Sequence, residues 1–145
     1  MPYCALADII DQVPEQKIIE LTDDENLGEV NTARVDKAIA TAGSIIDGYL
    51  RGRYTLPLDI VPDLIKTIAV DLSVFKLYER RREMDMPETL VNRYKNAVKL
   101  LEQIQKGLIS LGIEDTASAA GGSGSYKTNK TAEDREFSKE KLKTF

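Results

Sequence analysis

Histidine is absent from the 145-residue chain and cysteine occurs once, at Cys4. Without an imidazole, Ser-His-Asp and Cys-His catalysis are excluded. Zinc sites built from clustered cysteine and histidine are excluded with them. A single thiol cannot close an intramolecular disulfide, and so near a chain end Cys4 is expected to act as a small apolar residue. Long hydrophobic runs are also missing: no stretch approaches the roughly 18 consecutive apolar residues of a membrane span. The opening MPYCALADII lacks the basic start and apolar run of a signal peptide, so a cytoplasmic origin is expected. No glycine-rich phosphate loop, nucleophile elbow or paired-carboxylate motif occurs. The expectation is a protein that is not an enzyme and holds no cofactor or metal.

What is present fits one domain with a modest core. Charge divides unevenly along it. Residues 1–114 carry 14 basic against 19 acidic side chains, net −5, and residues 115–145 carry 6 against 5, net +1. An acidic body is a poor base for a broad grip on nucleic-acid phosphates.

Periodicity predicts five helices. Two short ones lie within ALADIIDQVPEQKIIELTDD, Pro14 opening the second. TDDENLGEV, residues 22–30, is expected to be a solvated acidic loop. Aligning Gly28 with the glycine of a calcium-binding loop would put Leu27 and Arg34 at positions that need oxygen donors. Asn31 is expected to cap a helix over about 32–51, with Val35, Ala38, Ile39, Ala42, Ile45, Ile46, Tyr49 and Leu50 on one side. A helix over about 62–82 is apolar nearly all round, which marks it as central. A fifth, over about 88–106, starts after Pro87 and stops at Gly107. LISLGI, residues 108–113, suits either an extended segment packed on the bundle or a strand used between subunits. Residues 1–114 thus form a helical domain. From 115 to 145 the composition is that of a flexible linker and tail, which regains Phe137, Leu142 and Phe145 only near its end.

Two glycines inside the third helix each cost roughly 1 kcal/mol relative to alanine. On a helical wheel Thr41, Ser44, Gly48 and Gly52 form one stripe beside the apolar side. Such a stripe suits a tight helix–helix contact, within the chain or across a subunit boundary. The plainer alternative is that Gly52 begins helix termination and Gly48 is tolerated. Asp71 falls inside the apolar side of the central helix and needs a partner, which Arg53 or Arg93 can supply. Arg80, Arg81 and Arg82 are flanked by Glu79, Glu83 and Asp85, so their charge is nearly cancelled and a solvated helix end is expected.

The segment AxxxxDGYLxGRYxLPL, formed by Ala42, Asp47, Gly48, Tyr49, Leu50, Gly52, Arg53, Tyr54, Leu56, Pro57 and Leu58, resembles Mu-type phage proteins. The resemblance runs from about Tyr3 to Ile113, with weaker support from Leu21 to Asp23 and from Leu77 and Tyr78. The closing REFSKEKLKTF resembles the end of the same family. The family is regarded as one of head–tail connector, or neck, proteins. The resemblance implies an all-α connector-type bundle that assembles as a ring on the portal vertex. Its implied partners are further copies of itself, the portal protein and downstream neck or tail proteins. DNA would pass through only as cargo, which an acidic lumen would let slide. The implied location is the virion neck, reached from the host cytoplasm, with no membrane involved. A ring needs two different faces on each subunit. The stripe on the third helix with Arg53, Tyr54, Pro57 and Asp71, the LISLGI segment, and the tail residues Phe137, Leu142 and Phe145 are the candidates. The alternative is a small helical regulatory or nucleic-acid-binding module acting through Arg80–Arg82 and the lysines of the tail.

Overall fold

The computed structural model describes residues 2–113. The expected linker and tail, with Phe137, Leu142 and Phe145, lie outside the described residues. Among the described residues there are five helices and no strand: α1 (Leu6–Ile10), α2 (Glu15–Thr22), α3 (Thr32–Leu50), α4 (Asp63–Arg80) and α5 (Glu88–Gln105). The all-α expectation and the five-helix pattern therefore hold.

Local chemistry sets the boundaries. Asn31 caps α3, its side-chain oxygen accepting from the Arg34 backbone N–H at 3.2 Å. Pro14, Pro62 and Pro87 stand immediately before α2, α4 and α5, where a missing N–H leaves no helical bond unmade. α4 stops two residues short of the expected end because Arg81 has left helical geometry, at φ −96° and ψ 82°.

α4 is the centre. Ile65, Ile68, Ala69, Val70, Leu72, Val74, Leu77 and Tyr78 are all buried along it, and α1, α2, α3 and α5 each pack against it. α3 supplies Val35, Ile39, Ala42, Ile46 and Leu50 to the same core, and α5 supplies Ala97, Leu101 and Ile104. Phe75 of α4 stacks on Tyr94 of α5 with ring centroids 4.0 Å apart.

The two buried polar residues among the described ones, Thr22 and Ser73, are bonded. Thr22 donates its hydroxyl to the Ile18 carbonyl at 2.8 Å and accepts from the Asn31 N–H at 3.2 Å, joining the end of α2 to the start of α3. Ser73 donates to the Ala69 carbonyl at 2.7 Å, with the buried Cys4 sulfur 3.7 Å from its oxygen. Cys4 is thus a core residue, and burial pushes its thiol pKa up. Residues 108–113 form neither helix nor strand. Ile109, Leu111 and Ile113 are partly buried against the bundle, the first of the two alternatives for this segment.

Because Leu72 is fully buried on the helix that every other element covers, Leu72→Ala is expected to cost about 2–5 kcal/mol. Urea denaturation monitored by circular dichroism measures it.

Candidate functional site

The glycine-bearing motif divides into two parts with different surroundings. Its second part turns inward. After α3 ends at Leu50, the Arg53 and Tyr54 N–H groups both donate to the Leu50 carbonyl at 2.9 Å. Tyr54 is buried, and its hydroxyl accepts from the Leu111 N–H at 3.2 Å. Arg53 Nη1 donates to the Ile104 carbonyl at 2.9 Å. That carbonyl lies in the last turn of α5, where chain reversal depends on Gly107 at φ +79°. The Leu108 N–H reaches the Gln103 carbonyl at 2.9 Å and the Gly107 N–H reaches Ile104 at 3.0 Å, the paired bonds of a Schellman ending. A Cβ at Gly107 would stand 2.8 Å from Arg53 Nη1. Arg53 and Tyr54 therefore latch the end of α5 and the 108–113 segment onto the end of α3. Pro57 lies exposed in the next turn, before the buried Leu58.

The first part faces outward. Thr41, Ser44, Gly48 and Gly52 are all exposed. The Thr41 and Ser44 hydroxyls donate to their own helix, to the Lys37 and Ala40 carbonyls at 2.8 and 3.0 Å. No described atom lies within 4 Å of a Cβ built at Gly48 or Gly52, leaving out their chain neighbours and their own helix. The tight contact expected of this stripe is thus not made within the described chain.

Two grooves flank the ridge. On one side, a groove of about 620 Å³ runs between the N-terminal segment and α3. Cys4, Leu6, Ile39 and Gly43 line it, with the carboxylates of Asp36 and Asp47. The buried Tyr3 fixes the N-terminal segment there by donating its hydroxyl to Asp47. Burial, then the bond to Asp47 and the charge of that carboxylate, raise the Tyr3 pKa and keep the phenol protonated. On the other side, a groove of about 420 Å³ between α3 and α4 is lined by Arg34, Lys37, Lys76 and Arg80 together with the Asp24 carboxylate, and by Ala38, Thr41 and Leu77.

Asp71 is half-buried, and Arg93 is the arginine that reaches it, at 3.4 Å. Burial pushes the Asp71 pKa up, and the Arg93 guanidinium opposes that shift. Arg53, the other expected candidate, serves the end of α5.

The acidic loop and the arginine run are largely exposed, as expected, and they also grip each other, which the sequence pattern does not indicate. Arg80 makes a forked pair with Asp24 at 2.7 and 2.8 Å and also donates to the Leu21 carbonyl. Arg81 stands 3.2 Å from the same carboxylate, and Arg34 stands 3.3 Å from it while forking onto Glu25 at 2.7 Å. Asp23 accepts from the Leu27 and Gly28 N–H groups at 2.9 and 2.7 Å, shaping the turn. The arginines hold the Asp24 carboxyl at about 2, well below its ordinary 3.8. Nothing local signals this cluster, since Asp24 and Arg80 are 56 positions apart.

An all-helical domain bearing these features falls, by sequence comparison, among phage proteins. The profile described as Bacteriophage Mu, Gp36 matches residues 3–129, and the chain belongs to that family. It is 30% identical over 121 residues to "Gene product J" of Escherichia phage Mu, covering 83% of each chain. It is 33% identical over 100 residues to "Mu-like prophage FluMu protein gp36" of Haemophilus influenzae, covering 69% of this chain and 66% of the relative. No helix among the described residues is long and apolar enough to cross a membrane.

The geometry of the cluster and of the latch makes two outcomes testable. Above pH 3.8 Asp24 is ionised in folded and unfolded chains alike, and the cluster stabilises fully. Below it the unfolded chain takes up the proton first, so this contribution is lost as pH falls through about 2. Denaturation midpoints from pH 5 downward are expected to fall more gently in Asp24→Asn than in the parent. Gly107→Ala forces a left-handed backbone on a side chain, costing about 1–2 kcal/mol, and also displaces Arg53. Chemical denaturation is expected to show that loss with native helix content retained.

Proposed function

We propose that the protein is a structural head–tail connector subunit of a tailed phage or prophage. Copies form a ring beneath the portal in the virion neck, DNA passes through, and neck or tail proteins join below. No catalysis is assigned to it. One observation carries the assembly reading: Gly48, on the outward side of α3, and Gly52, in the turn just past its end, are exposed with no described part of their own subunit within 4 Å of a Cβ built there. Glycine in a helix lowers subunit stability, and here no contact within the described subunit compensates. A neighbouring backbone approaching the ridge does make use of it. Membership of a phage family supports the same reading.

The alternative of a nucleic-acid-binding module is weakened by the Asp24 cluster. Two of its three arginines, Arg80 and Arg81, are already engaged by a carboxylate and by backbone carbonyls.

The test separates subunit stability from assembly. Gly48→Ala is expected to raise the stability of the isolated subunit by about 0.5–1 kcal/mol. Gly48→Leu, also exposed, is expected to leave the subunit folded and to abolish the complex with purified portal protein in light scattering and negative-stain images. Undiminished complex formation by Gly48→Leu would overturn the ridge as the contact. A parent protein that stays monomeric with portal at neutral pH would overturn the connector reading. Salt-sensitive DNA binding lost on Arg80→Ala, Arg81→Ala and Arg82→Ala would favour the alternative.

A further inference from the structure

The groove between the N-terminal segment and α3 pairs an apolar floor with an acidic margin. Cys4, Ile39 and Gly43 form the floor, Leu6 a wall, and Asp36 and Asp47 supply two carboxylates. Its volume of about 620 Å³ accommodates large side chains. One segment of this chain has the complementary chemistry. Residues 135–145, REFSKEKLKTF, place Phe137, Leu142 and Phe145 among four basic and two acidic side chains. Apolar groups match the floor and excess positive charge matches the margin.

The covalent connection fits as well. Near its end the described chain is anchored by the Leu111 N–H on the Tyr54 hydroxyl and by Ile113 packed against the core, and Tyr54 lies four residues beyond α3. The near end of the groove, at Asp47, is one turn back along that helix from Leu50. The 21 residues from 114 to 134 span at most about 70 Å, against about 28 Å for the whole of α3. A tethered segment meets its own groove at an effective concentration on the order of millimolar, far above that of a neighbour in micromolar solution.

We propose that in the isolated subunit residues 135–145 dock in this groove of their own chain. Phe137, Leu142 and Phe145 enter it, and the lysines between them face Asp36 and Asp47. The docking does not depend on the connector reading.

Cysteine cross-linking in the full chain tests it. Cys4→Ala removes the native thiol, and Ser44→Cys on the groove margin is combined with Ser138→Cys in the tail. A control replaces Ser44→Cys by Thr89→Cys, an exposed position on α5 outside the groove. At micromolar protein, mild oxidation is expected to give a fast-migrating monomeric disulfide roughly tenfold or more faster than the control pair. Phe137→Ser, Leu142→Ser and Phe145→Ser together are expected to remove that excess, and Asp36→Lys to reduce it several-fold. A rate equal to the control, a rate indifferent to both sets of changes, or a disulfide found mainly as covalent dimer would overturn the proposal. Portal binding and ring formation do not enter the measurement, so its failure and the failure of the connector reading are told apart.

Discussion

A helix with almost no polar side has to be covered by other elements, and α4 imposes that requirement on everything around it. α3 and α5 meet it with long apolar faces. α1, at five residues, is too short to persist on its own. It is held through the buried Ile9 and through Asp8, which takes Lys66 of α4 at 2.7 Å and the Ala5 N–H at 2.8 Å. α2 is joined to the next helix by Thr22 and to the end of α4 by Arg80. The polar links in this protein thus mostly fix the short elements in place, while apolar burial holds the long ones.

The features readable in the sequence are those encoded within a turn or two. Asn31, Pro62 and Pro87 mark helix starts by chemistry that acts on adjacent residues, so the expected and observed starts nearly coincide. The all-round apolar pattern of α4 announces its central place for the same reason. Asp71 offers two plausible arginines because a wheel fixes direction without fixing which neighbouring helix arrives there. The Asp24 cluster is illegible: its charges sit in a loop, at the start of α3 and at the end of α4, and only the packing brings them together. Arg53 and Tyr54 stand out as part of a motif, yet their contacts, with Ile104 and Leu111, lie over 50 positions away.

The glycine stripe shows the same limit from the other direction. Local rules identify Gly48 as unfavourable in a helix and both Gly48 and Gly52 as suited to close approach; the fold keeps Gly48 within α3 and places Gly52 in the turn after it, the helix termination that the plainer alternative gave it. What the fold adds is direction. The stripe looks outward between an apolar, acidic-margined groove and a mainly basic one, so α3 presents three chemically distinct strips side by side. A partner meeting all three is constrained in rotation as well as in position.

The latch at Gly107 has a mechanical consequence. The chain leaves the described domain past Ile113, so tension on the residues beyond it arrives first at that partly buried side chain and then at the bond between Leu111 and Tyr54. Behind it stand the Schellman bonds and the Arg53 guanidinium on Ile104. The load passes across to the end of α3, two core helices share it, and α5 is not peeled away one turn at a time. Gly107 keeps that load path short, because a Cβ there would stand 2.8 Å from the Arg53 guanidinium that bridges the two helix ends.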